Sequence, residues 1–81
     1  MDQQDVARVV RRVRWIMETA PRGTVITVAA DGYVTTTGQR PARHGWKPPK
    51  RPLTAFIVRR PPLPPMEIWE RIEEALELID T

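Results

Sequence analysis

Few side chains in this chain could do covalent chemistry. There is no cysteine and a single histidine, His44. Cysteine nucleophiles, disulfides and zinc–thiolate sites are therefore excluded. No Ser, Cys, Asp or Glu lies near His44 in sequence, so it has no local partner for a nucleophile–base pair. The carboxylates gather in the C-terminal quarter, remote from it, which leaves a metal site without ligands. The glycines, Gly23, Gly32, Gly38 and Gly45, are scattered through turns and form no phosphate-binding loop. The expectation is a non-enzymatic protein with no cofactor and no metal.

Recognition chemistry is better represented. The stretch GQRPARHGWKPPKRP, residues 38–52, carries Arg40, Arg43, Lys47, Lys50 and Arg51, together with Trp46 and four prolines, and no acid. Cations suit phosphates and an indole suits base stacking, the combination that binds single-stranded nucleic acid. Prolines hold such an arm extended and lower the entropy lost when it is ordered. The same pairing recurs near the N-terminus, where Arg8, Arg11, Arg12 and Trp15 alternate with apolar residues. Tryptophan and arginine are equally the residues enriched in protein–protein hot spots.

Charge is unevenly distributed. The net charge is +3. Residues 21–60 carry eight positive and one negative side chain, whereas residues 61–81 carry one positive and six negative. This segregation creates a field with two poles, able to steer a polyanion to one end, unless the poles face each other within the fold.

The elements that must position these residues follow from periodicity. Over residues 4–20, Val6, Val9, Val10, Val13, Ile16, Met17 and Ala20 recur at spacings of three and four, the pattern of an amphipathic helix. Arg8, Arg11, Arg12 and Trp15 fall on its opposite face. Residues 24–37 read as a β-hairpin about Asp31-Gly32, taken as a two-residue type I′ turn. That turn pairs Ala30 with Tyr33, Val28 with Thr35, Ile26 with Thr37 and, on the other face, Thr27 with Thr36. Residues 53–59 form a third strand. Residues 60–65 form a proline-rich connector, and across residues 59–65 Arg59, Pro62 and Pro65 have the R-x-x-P-x-x-P spacing of a polyproline ligand. Residues 65–80 form a second helix with Trp69, Ile72, Leu76 and Ile79 as its seam. A Glu67–Arg71 pair is expected at the favourable i,i+4 spacing. Glu70–Glu74 and Glu73–Glu77 repel, so this helix is expected to have basic neighbours.

With 81 residues the chain is read as one small domain, 1–81. It buries about 60% of its unfolded surface or a little more. The fold class expected is α+β, in the order α-β-β-β-α, with a three-stranded antiparallel sheet and both helices on one face. This order resembles, in outline, the double-stranded-RNA-binding domain. That family opens its second helix with lysines, where this chain has the acidic PPMEIWERIEE. It also carries a Pro-x-His element after its first strand, where this chain has Asp31-Gly32. No residue roles are carried over. The polar start, MDQQDV, and the absence of a long apolar run predict a cytoplasmic protein without a membrane partner.

The expected function is nucleic-acid binding through Arg40, Arg43, Trp46, Lys47, Lys50 and Arg51, extended by Arg8, Arg11, Arg12 and Trp15. The alternative is a protein-interaction module, such as a small inhibitor or accessory subunit. That module would use Trp15, Trp46 and the acidic C-terminal helix, and homodimerisation belongs to this reading.

Overall fold

The computed structural model describes residues 1–37 and 52–79. The order is α1 (Gln3–Thr19), β1 (Val25–Ala29), β2 (Val34–Thr37), β3 (Pro52–Ile57) and α2 (Pro65–Ile79). The three strands form one antiparallel sheet in the order β2-β1-β3. Both helices pack on the same side of it, α1 over β1 and β2, and α2 over β3 and against α1. The expected α+β architecture is the one observed. Of the sequence-predicted features, the 38–52 loop lies outside the described residues except for Pro52, which opens β3.

α1 begins at Asp2, whose side chain accepts from the Asp5 amide at 2.8 Å while the Asp5 carboxylate accepts from the Asp2 amide. This reciprocal cap satisfies two backbone donors that a helix start leaves unpaired. The buried stripe is Val6, Val9, Val10, Val13, Ile16 and Met17. Valine is a poor helix former. The helix therefore draws its stability from burying that stripe against the sheet rather than from propensity. Its C-terminal end has no basic residue of its own in the last turn. Arg60, in the connector after β3, supplies one, donating to the Met17 carbonyl at 2.6 Å and the Ala20 carbonyl at 3.1 Å. A cation at that end also complements the helix dipole.

The hairpin differs from expectation. Ala29 donates its N–H to the Tyr33 carbonyl at 2.8 Å, and Gly32 donates to the Ala29 carbonyl at 3.0 Å. Within the loop only Gly32 has positive φ, +91°, and no described residue other than glycine does. A type I′ turn needs two such residues, so the loop is instead three residues, Ala30 to Gly32, closed by a glycine in the left-handed region. The register becomes Val28↔Val34, Thr27↔Thr35, Ile26↔Thr36 and Val25↔Thr37. A shift of one residue moves every side chain of a strand to the other face. Val34 therefore turns toward the core, and Tyr33 is 66% exposed.

The core fills the space between sheet and helices. Ile26, Val28, Phe56 and Val58 come from the strand segments, and Ile68 and Ile72 from α2. An irregularity in β3 pairs Val28 with Thr54 and Ala29 with Pro52, leaving Leu53 as the extra residue, packed on the core's margin. The α2 seam is narrower than predicted. Ile68 and Ile72 are fully buried, Trp69 and Leu76 half-buried, and Ile79 is 55% exposed. After Ile72 no described position of α2 is buried, although Leu76 still packs on the core's margin.

The connector after β3 is tied into the fold. Leu63 is buried, and its carbonyl accepts from Arg14 of α1. Pro65 is the first residue of α2, where a missing N–H costs nothing. These roles occupy the segment that had the spacing of a polyproline ligand. Gly32→Ala is expected to lose about 1 kcal/mol, because alanine resists positive φ. Urea unfolding measures this, with Arg60→Ala expected to cost a similar amount, about 1 kcal/mol, through the lost helix-end bonds.

Candidate nucleic-acid interface

The outer face of α1 holds the predicted group intact. At 100° per residue, Arg8, Arg11, Arg12 and Trp15 fall within an arc of about 100°. They stand opposite the buried valines, so the packing that places the valines inward places these side chains outward. All four residues are exposed, Trp15 at 56%. The Arg12 guanidinium carbon lies 5.3 Å from the centroid of the Trp15 ring, within cation–π range. The contact orients the indole while leaving much of it open to solvent.

The four arginines of α1 divide into two kinds. Arg14 turns sideways, binding Glu18 at 2.7 Å and the Leu63 carbonyl, and is structural. Arg8 lies 3.6 Å from Asp5 in an exposed pair, of little energetic weight. Among the described residues, Arg11 and Arg12 enter no ion pair.

The hairpin loop adds a residue that sequence reasoning missed. A groove of about 430 Å³ runs between α1 and the loop, lined by Arg8, Val9, Arg12, Asp31, Gly32, Tyr33 and Val34. The Asp31 carboxylate accepts from the Tyr33 amide at 3.0 Å, which spends part of its hydrogen-bonding capacity within the loop. Loop and helix are in contact here: a Cβ on Gly32 would stand 3.4 Å from Arg8 Nη2 and 3.8 Å from Val9 Cγ2, ordinary contact distances, so glycine is required by its positive φ rather than by space. Tyr33 thus forms the far wall of a groove whose near wall is cationic. The Asp-Gly pair was the available signal, but it does not discriminate a two-residue loop from a three-residue one. On the other side of α1, a smaller groove of about 210 Å³ runs along Val10, Arg11, Arg14, Trp15, Glu18 and Pro65.

The acidic pole does not cover this surface. Glu67, Glu70, Glu73, Glu74 and Glu77 are exposed along α2, and none enters an ion pair among the described residues. The expected Glu67–Arg71 pair is not formed. Arg71 reaches instead to β3, donating to the Ala55 carbonyl at 3.2 Å with its guanidinium carbon 4.6 Å from the Phe56 ring centroid. Among the described residues no basic side chain forms an ion pair with an α2 glutamate, since both ion pairs lie within α1. Arg40, Arg43, Trp46, Lys47, Lys50 and Arg51, and with them His44, lie outside the described residues.

Among the described residues, no group of three or more His, Asp or Glu side chains could hold a metal ion, and no helix is long and apolar enough to cross a membrane. Comparison with known proteins finds no matching family model, no matching curated protein and no matching solved structure. The outline likeness to the double-stranded-RNA-binding domain therefore stays a likeness of element order.

Trp15→Ala is expected to change stability by less than about 0.5 kcal/mol, as for surface substitutions away from caps and cores. Ile26→Ala, in the core, is expected to cost about 2–5 kcal/mol. Urea unfolding of both variants checks that Trp15 is available for binding rather than packing.

Proposed function

We propose that this is a small, non-enzymatic nucleic-acid-binding protein whose structured contact surface is the outer face of α1 together with the hairpin loop. The observation that supports the reading most is the placement of two exposed aromatic rings, Trp15 and Tyr33, beside the exposed guanidiniums of Arg8 and Arg12. Guanidiniums take phosphates through their planar fork. Exposed rings take bases by stacking, worth about 1–3 kcal/mol each in measured cases. Arg11 extends the charge toward the smaller groove. Arg40, Arg43, Trp46, Lys47, Lys50 and Arg51 stay in the proposal on composition alone, as further cations and a further ring on the same chain. The surface holds no nucleophile–base pair, which supports binding rather than turnover.

A second reading is favoured by one observation, the exposure of Met66 and Ile79 on the glutamate-bearing helix. In that reading the protein is a small inhibitor or accessory subunit docking through Trp15 and α2.

Titration with a labelled oligonucleotide over a range of salt separates the two. The nucleic-acid reading expects log Kd to change with log salt at about 0.7–0.9 of a unit per phosphate neutralised. Arg8→Ala with Arg12→Ala should lower that slope by about 1.4–1.8 units for two lost contacts. Trp15→Ala should weaken binding about fivefold or more with little change in slope. Absence of binding at low salt overturns the reading and leaves the protein-partner alternative.

A further inference from the structure

The groove between α1 and the hairpin loop carries charges of both signs. Arg8 and Arg12 line it from the helix, and Asp31 lines it from the loop beside Tyr33. The opposite charges do not close on each other. Arg8 turns to Asp5 at 3.6 Å, Arg12 stands over the Trp15 ring, and Asp31 enters no ion pair among the described residues. A site for phosphates alone gains nothing from a carboxylate, which repels them.

Loop geometry does not require that charge either. Asp31 Oδ1 accepts from the Tyr33 amide at 3.0 Å, the hydrogen bond of an Asx turn. Asparagine makes the same turn with its side-chain carbonyl, so the turn needs the oxygen and not the charge. The bond also fixes the carboxylate next to the backbone of Tyr33, whose ring is exposed. It takes one of the roughly four acceptor sites that a carboxylate offers. The others are open to a ligand in the groove.

We propose that Asp31 makes this groove a site for an unpaired guanine base, an inference that rests on the nucleic-acid reading of the same surface. A carboxylate offers two acceptors side by side and no donor. On its Watson–Crick edge guanine presents two adjacent donors, N1–H and the N2 amino group, which meet both oxygens at once. Adenine sets its amino group beside the N1 acceptor, and cytosine sets its own beside N3. Thymine flanks its one N–H with two carbonyls. Each of these three turns a lone pair toward the carboxylate. A base stacked on Tyr33 brings its edge to the loop wall, where Asp31 stands, and leaves its phosphates to Arg8 and Arg12 on the helix wall. In a duplex the same guanine donors are taken by cytosine, so the site accepts guanine only from an unpaired strand or a free nucleotide. Asp31 also repels the phosphates of a strand without guanine, and only guanine offsets that repulsion.

The test uses the full chain and its Asp31→Asn variant, which keeps the turn oxygen, removes the charge and sets a donor where guanine also has one. Fluorescence anisotropy would measure Kd for labelled single DNA strands of about 16 nucleotides, the upper end of single-strand site sizes. Each strand is thymine with isolated guanine, adenine or hypoxanthine bases at regular intervals. All three are purines, so stacking is alike and the edge differs; hypoxanthine keeps N1–H and lacks the amino group. At about 50 mM salt the unaltered protein should bind the guanine strand about fivefold or more tighter than the adenine strand, with hypoxanthine between them. Asp31→Asn should narrow the guanine-to-adenine ratio to about twofold or less. Free GMP should displace the guanine strand only at about tenfold or more above that strand's Kd, because it brings one phosphate in place of several. Equal binding of the guanine and adenine strands by the unaltered protein overturns the inference and leaves the α1 reading standing. A preference that survives in Asp31→Asn overturns the role of Asp31. GMP competing as well as the strand assigns the groove to a free nucleotide and overturns the strand as its ligand. Failure of every strand to bind overturns the nucleic-acid reading, and this inference with it.

Discussion

The positive φ of Gly32 decides the side on which each residue of β2 stands. With a single left-handed residue, the hairpin loop closes over three residues rather than two. The resulting register turns Val34 toward the helices and Tyr33 toward solvent. It also brings the loop against α1, with Gly32 beside Arg8 and Val9. One backbone conformation thus completes the β2 edge of the core and forms the groove that faces the cations of α1. Core packing and candidate site share this cause.

Arginine serves two purposes in this molecule, and geometry separates them. Arg14, Arg60 and Arg71 donate to backbone carbonyls of Leu63, Met17, Ala20 and Ala55. These bonds tie the connector to α1, cap the end of α1 and hold α2 to the outer strand. A guanidinium suits such work because its several donors reach two acceptors at once and its charge is permanent. Arg8, Arg11 and Arg12 make no backbone bond of this kind and remain outward. Counting arginines in the sequence does not tell which side chains are held by the fold and which stand outward; the folded positions do.

The charge segregation seen along the chain persists in space. α1 presents cations with an indole, and α2 presents carboxylates. The two helices lie side by side without an ion pair between them among the described residues. Such a division sets up a field with two poles across the helix layer. It also gives the protein-partner reading a natural geometry, because a partner with the opposite pattern would meet both helices at once.

Much of the architecture is written in local periodicity. The Val-rich stripe of α1, the Ile68–Ile72 pair of α2 and the β-branched strands determine element type and the α+β class. A helix or strand must bury its apolar face whatever else the chain does. The outward position of Arg8, Arg11, Arg12 and Trp15 follows from the same stripe, because helical geometry places them opposite it. Tertiary structure decided what depends on contacts between distant residues. Loop length in the hairpin turned on one glycine's backbone and on the fit of Val34 into the core, which moved Tyr33 into the candidate site. Arg71 chose a carbonyl and a ring of β3 over the adjacent Glu67, since a long side chain takes the best partner in space, not the nearest in sequence. The separation of the acidic face from the basic one was likewise settled only when both helices were laid on the same sheet.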